Sequence, residues 1–368
     1  MIAWRAGTVT ALGRGWPGAR ELTVRLEAAP GADGATVAAL AYPQLVGDPR
    51  VGDRVLLNVG AQRLGLGTGG YALVVALPDR LPGDPPLAGA GRALGHVVKG
   101  RYSPLQALVL GADEEASPHR AVLADADDLT GLPVVTADLH SAVPAILAGV
   151  LADRPGARVA YVMTDGGALP AWFSRTVAGL AGVLAGVVTA GQCFGGDLEA
   201  TNVHSGLLAA RYALGAEVAV VAQGPGNLGT GSRWGFSGVA AGEAVNAVAV
   251  LGGRPVGSLR ISAADPRPRH QGVSHHSLTA YGRVALAAAD LVVPAGLAPD
   301  LAGRVRAALA PLAVRHRIVE VDVTGLDEAL AAVPVPLSTM GRGLAEDRAY
   351  FLAAAAAGRH AAALAGTG

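Results

Sequence analysis

Apolar, β-branched runs begin at Val134, Val159, Val187, Val218, Val256, Leu291 and Ile318, a few tens of residues apart. Most are followed by a polar or glycine-rich turn and then by an Ala/Leu-rich helical stretch, which is the alternation of βα units. Strands apolar on both faces belong inside a mainly parallel sheet covered by helices. A doubly wound sheet is the first expectation and a closed βα barrel the second. Both architectures put ligands at the carboxyl ends of the strands, so the loops after these runs are where chemistry is to be sought.

The segment before them reads differently. Short β-type runs, at residues 7–12, 22–26, 36–40, 55–59 and 71–77, alternate with Gly, Pro and Asp clusters, the pattern of a small barrel or sandwich. Residues 78–91 are rich in Pro and Gly and lack apolar periodicity, so they read as a linker. The expected division is a β-rich module with its linker at 1–91, an α/β domain at 92–346 and a C-terminal helix at 347–368. That helix reads as a docking or dimer helix.

Composition narrows the function. The chain is 51% hydrophobic and 16% charged, against about 25% charged in an average protein, which points to extensive burial and to a homo-oligomer. Gly, Arg, Asp or Pro interrupts every apolar run before about 18 residues, so no transmembrane helix is expected. The first residues show no secretory signal, and the expected location is cytoplasmic. Net charge is zero with no basic run, which argues for a small-molecule ligand rather than nucleic acid. The single cysteine, Cys193, removes intrachain disulfides and multi-cysteine zinc sites. The single lysine, Lys99, is followed by Gly100, which excludes a Gly-Lys-Ser/Thr phosphate loop. Neither Ser232 nor Ser237 has the spacing of a nucleophile elbow.

Five loops carry candidate chemistry. In Thr136-Ala137-Asp138-Leu139-His140-Ser141, Asp138 and His140 suit an acid–base pair or metal ligation, or else a helix cap beside a packed histidine. Asp165-Gly166-Gly167 sets two glycines behind a carboxylate, an anion-binding turn or only a tight one. Gln192-Cys193-Phe194-Gly195-Gly196-Asp197 combines the thiol, a glycine pair and an acid at an expected helix start; a lone cysteine is more often a small buried apolar residue than a nucleophile. Gly224-Pro225-Gly226-Asn227-Leu228-Gly229 matches GxGxxG, yet 52 glycines in 368 residues predict about one such match by chance, and Glu243 falls inside the next helix rather than after a strand. A dinucleotide fingerprint is therefore rejected in favour of an anion-binding loop using Gly224, Gly226 and Asn227, with Arg233 for charge and Trp234 for stacking. The last loop holds His270, His275 and His276 with Arg267 and Arg269, residue types suited to proton transfer, a metal or anion recognition.

Met163 to Pro170, Phe194 to Asn202, Gln223 to Gly238 and Ser274 to Thr279, in this order, resemble a bacterial family, domain of unknown function 3866. The resemblance covers nearly the whole chain, supports one architecture throughout and implies no catalytic residue; it implies histidine more readily than cysteine at position 193.

The residues point to a small-molecule enzyme, a hydrolase or transferase acting on an anionic substrate, phosphorylated or not. Asp138, His140, Asp165, Asp197 and His275 are the expected catalytic groups. Gly166, Gly167, Gly195, Gly196, Gly224, Gly226, Asn227, Arg233 and His276 are the expected ligand-binding ones, and a divalent metal fits the same residue types. The alternative is a non-catalytic ligand sensor or a self-assembling structural protein.

Overall fold

The short alternating runs at the start of the chain close into a barrel. Its strands are β1 (Trp4–Trp16), β2 (Ala19–Leu26), β3 (Thr36–Ala41), β4 (Arg54–Asn58) and β5 (Ala72–Ala76), in the order β1-β2-β3-β5-β4. Pairing is antiparallel except between β3 and β5, and every second residue, such as Leu22, Val24, Val55, Leu57, Ala72 and Val74, points into an apolar centre. Two single-turn helices, α1 (Pro43–Val46) and α2 (Gly60–Arg63), lie in its connections. The structure, a computed structural model, describes residues 2–28, 34–83 and 95–366, so residues 84–91 of the expected linker lie outside the described residues. Two compact units are present, Met1–Leu94 with Gly100–Leu108, and Gly95–Lys99 with Val109–Gly368.

After β6 (Val97–Lys99), β7 (Ala107–Val109) and α3 (Arg120–Leu123) come the βα units. In chain order they are β8 (Pro133–Ala137), α4 (Val143–Asp153), β9 (Val159–Thr164), α5 (Arg175–Gly179), β10 (Gly186–Ala190), β11 (Leu198–Ala200), α6 (Val203–Leu208), β12 (Val218–Gln223), α7 (Ala240–Val250) and β13 (Arg254–Ser258). A small pair, β14 (Ile261–Ser262) with β15 (Gly272–Val273), brackets a loop before α8 (His275–Thr279). Then follow β16 (Asp290–Pro294), α9 (Pro299–Leu309), β17 (Arg317–Val321), α10 (Leu326–Ala331), the pair β18 (Ser338–Thr339) and β19 (Arg342–Gly343), and α11 (Arg348–Ala365).

Eight of these strands form one all-parallel sheet in the order β11-β10-β9-β12-β8-β13-β16-β17. The sheet is open, which settles the choice between the two expected architectures against the βα barrel. The connection leaving β8 runs toward the β11 edge and the one leaving β12 runs toward the β17 edge. The winding therefore reverses beside β8, where open α/β sheets have their ligand crevice. One face is covered by α4, α10 and α11, the other by α6, α7, α8 and α9. Among the described residues no helix is long and apolar enough to cross a membrane.

Two further contacts matter below. The alanine-rich α11 is docked in the core of its own chain, where Tyr350, Phe351 and Ala353 to Ala357 are buried. It touches α4 backbone to backbone: a Cβ at Gly149 would stand 1.8 Å from the Ala355 carbonyl oxygen, and one at Gly358 would stand 1.9 Å from that of Ile146. Lys99 is fully buried, and its Nζ donates to the carbonyls of Ala200 (2.6 Å), Cys193 (3.1 Å) and Thr189 (3.4 Å), with the Glu199 carboxylate at 3.5 Å.

Candidate functional site

Because β8 and β13 are neighbours, the residues just past their carboxyl ends meet. Asp138 follows β8, is 3% exposed, and its Oδ2 has no hydrogen-bond partner among the described residues. Gly238 lets the segment after β12 lie on it, since a Cβ there would come within 2.8 Å of the Asp138 carbonyl oxygen. Opposite stands His276, 7% exposed, with Nδ1 3.8 Å from Asp138 Oδ2 and likewise unpartnered. That separation is too long for a hydrogen bond. The His276 ring is held flat against Phe236, with centroids 3.8 Å apart and planes parallel.

His276 is one of three. One ring nitrogen from each of His270, His275 and His276 lies within 4.8 Å of the others. His275 Nε2 is buried without a partner, whereas His270 Nδ1 is 2.7 Å from Ser274 Oγ. Ser274 also caps α8 by accepting the His276 amide hydrogen, so one hydroxyl fixes both the helix start and the His270 ring. Burial, with the charges of Arg260 and Arg267, pushes the His270 imidazole down to about 3. Burial also takes His276 to about 3, aided by His275 and Arg260, and lowers His275, aided by Arg269. All three are therefore neutral near pH 7, with lone pairs to offer. Asp138 moves the other way: burial raises its carboxyl, and the Arg260 charge only partly opposes this.

The loop carrying His270 is anchored by buried ion pairs. Asp265, fully buried, accepts from Arg260 Nη2 (3.0 Å), from Arg267 Nε and Nη2 (2.9 Å each) and from Arg342 Nη2 (3.2 Å). Arg342 Nε also donates to Asp347 (3.0 Å), which accepts from Ser262 Oγ (2.9 Å). Burial alone would raise the Asp265 carboxyl; the hydrogen bonds from Arg267 and the charges of Arg267 and Arg260 outweigh that and hold it well below the usual range. Arg269, by contrast, is exposed.

The remaining expected residues are placed as follows. His140 is buried between Tyr161 Oη (3.0 Å from Nδ1) and Ser174 Oγ (2.7 Å from Nε2). The Tyr161 hydroxyl donates to the Gln223 carbonyl, so it accepts the His140 Nδ1 proton, and Ser174 donates to Nε2. Both nitrogens are thereby used. Asp165 Oδ2 accepts from the Gln192 amide (2.8 Å) and ties two loops together. Gly166 and Gly167 pack against Gln223 and Gly224, and Ala168 N donates to the Pro225 carbonyl (2.7 Å). The amides of Gly195 and Gly196 already donate to Glu199 Oε1 (2.7 Å) and Thr189 Oγ1 (3.2 Å), which leaves neither for an anion. Gly226 adopts a φ of +95° in an open turn, Asn227 Oδ1 accepts from Gln223 Nε2 (2.8 Å), and Arg233 and Trp234 are exposed beyond it.

One expectation is corrected, and one, that a lone cysteine is a small buried residue rather than a nucleophile, is borne out. Asp197 begins no helix: Leu198–Ala200 is strand β11, and the next helix starts after Asn202, whose side chain forms a capping box with Ser205. Asp197 Oδ2 accepts from the Val187 amide (2.8 Å) at the amino end of β10, so it lies at the opposite end of the sheet from Asp138. The Cys193 thiol is fully buried and donates to the carbonyls of Ala190 (2.8 Å) and Met163 (3.0 Å); burial pushes it up to about 12, which removes it as a nucleophile. Sequence reasoning missed Arg260, two residues past the end of β13, and Phe236, which reads as an ordinary apolar residue.

A family model described as protein of unknown function (DUF3866) matches residues 38–358, from within β3 into α11, and the chain belongs to that family. No curated protein and no solved structure matches it.

Proposed function

We propose that the chain is a small-molecule enzyme, a hydrolase or transferase acting on an anionic substrate, with its reacting centre at Asp138, His275 and His276. One observation carries the reading: a buried carboxylate oxygen and a buried imidazole nitrogen, both unpartnered, face each other at 3.8 Å where the sheet's winding reverses. Orphaned buried polar atoms cost about 1–3 kcal/mol each, and a pair of them facing each other in a crevice is accounted for by a ligand, an ion or a reaction that uses both. Burial raises the Asp138 carboxyl and lowers the His276 imidazole, and perturbed groups of this kind in a crevice support a functional site. Substrate charge is met by Arg269 at the rim, and Gly226, Asn227 and Arg233 form the adjacent loop.

The test is turnover of a panel of phosphate monoesters, phosphodiesters and carboxylate esters by the full chain. The expected result is hydrolysis of at least one class, cut about 100-fold or more in Asp138→Asn and His276→Ala and unchanged in His204→Ala, on the exposed face of α6. Full activity in Asp138→Asn overturns the assignment. Ligand binding without turnover across the panel selects the non-catalytic alternative.

A further inference from the structure

We propose that His270, His275 and His276, with Asp138 Oδ2 as fourth donor, bind one divalent late first-row transition metal ion of the Zn²⁺, Co²⁺, Ni²⁺ and Fe²⁺ type. The histidine nitrogens lie within 4.8 Å of one another, and Asp138 Oδ2 is 3.8 Å from His276 Nδ1. Two donors bound to one such ion at about 2.0–2.1 Å in tetrahedral geometry stand roughly 3.3 Å apart, so the three imidazoles must draw together by up to about 1.5 Å, and Asp138, outside their 4.8 Å group, must turn toward them through His276. The same 3.8 Å is too long for the direct hydrogen bond that would otherwise satisfy the pair.

The orphaned atoms give an independent reason. Asp138 Oδ2, His275 Nε2 and His276 Nδ1 are all buried without partners, and all belong to this one group. A buried carboxylate calls for a partner charge or a metal, and the charge of Arg260, whose Nη2 donates to Asp265, offsets the burial of Asp138 only in part. A divalent ion supplies the missing charge and occupies all three atoms.

The surroundings are those of a prepared site. With Nδ1–H donating to Ser274 Oγ, His270 keeps its lone pair on Nε2, the orientation that a partner hydrogen bond gives a ligating histidine. Phe236 fixes the His276 ring, and the Asp265 network fixes the loop that carries His270. Three imidazoles and one carboxylate suit the borderline metals, whereas Mg²⁺ and Ca²⁺ prefer all-oxygen shells. The inference rests on the proposed site and gives Asp138 and His276 the role of holding an ion, which would polarise the bound anion, in place of proton transfer; it is read from metal content alone.

The experiment uses the untagged full chain, stripped with chelator, dialysed against Zn²⁺ and measured by elemental analysis, then titrated with Co²⁺ and followed by visible d–d absorption. The expected result is one equivalent per chain, with affinity reduced about 100-fold or more in His275→Ala, His276→Ala and Asp138→Asn, and unchanged in His204→Ala. Circular dichroism and cooperative urea unfolding establish that each variant is folded; if His276→Ala is not, the more exposed His275→Ala decides. Less than about one-tenth of an equivalent in wild type, or wild-type affinity in the histidine variants, overturns the proposal. Wild-type affinity in Asp138→Asn alone overturns the fourth donor. Turnover by a chain that binds less than about one-tenth of an equivalent sinks this inference and leaves the enzyme reading standing; one equivalent bound without turnover does the reverse.

Discussion

Replacing Gly358 with alanine tests the backbone contact between α4 and α11. In an isolated helix the change is favourable by about 1 kcal/mol, because glycine loses more conformational freedom on ordering. Here the new Cβ would arrive 1.9 Å from the Ile146 carbonyl oxygen and 3.0 Å from the Val150 nitrogen, so the two helices must part by more than an ångström. The obstacle is backbone, which cannot swing aside as a flexible side chain would. Overpacking of a tight interior costs about 1–3 kcal/mol or more, and this crossing holds the buried Ala354 to Ala357 stretch, so the upper end applies. The net expectation is a loss of about 2 kcal/mol or more. Gly303, in α9, is the control: nothing lies within 4 Å of its added Cβ, and alanine there should stabilise by roughly 0.5–1 kcal/mol. Urea unfolding followed by circular dichroism reads both. If Gly358→Ala is as stable as wild type while Gly303→Ala gains, the close approach of the helices is refuted.

Three other outcomes are expected. Asp265→Ala strands the buried guanidinium of Arg260 and should cost about 3–5 kcal/mol in urea unfolding, and a loss below about 1 kcal/mol would mean the network is not what holds its loop. Cys193 should react with a thiol-directed disulfide reagent no faster than the protein unfolds, and rapid native-state labelling at pH 8 would contradict its burial among carbonyls. Burial lowers the His140 imidazole to about 4, so below about pH 6.5 the unfolded chain takes up a proton that the folded one refuses. Stability should therefore fall as pH drops toward 4, by about 2 kcal/mol between pH 7 and 5 from this group. His140→Gln should remove that part of the slope and leave the parts from His270 and His276, and an unchanged slope would show that His140 contributes none of it.

The strands of the sheet were legible because Val-rich runs separated by turns admit few other structures, and the starts at Val159 and Val218 are those observed. β11 was not legible. It is three residues long, contains Glu199, and is held by a carboxylate bonded to Thr189 and Gly195, none of which leaves an alternating pattern. The histidines of the 270–276 loop stood out by density alone. That Asp138 rather than His140 would face them depends on β13 lying beside β8, and strand order is decided by long-range packing that local pattern does not encode. The glycine loops were legible as close backbone approaches, but several approach their own chain: Gly167 meets Gly224, and Gly196 meets Thr189.

Lys99 is the only lysine in the sequence, and its ammonium is enclosed by three main-chain carbonyls and a carboxylate. The native surface of the described residues thus offers no ε-amine at all, and all its side-chain cations are arginine or histidine. Acylating reagents, aldehydes and amine-directed cross-linkers will find no lysine target while the fold is intact. Modification at residue 99 therefore becomes a clock for opening of the segment around Thr189, Cys193 and Ala200, with a background set by the fold rather than by chemistry.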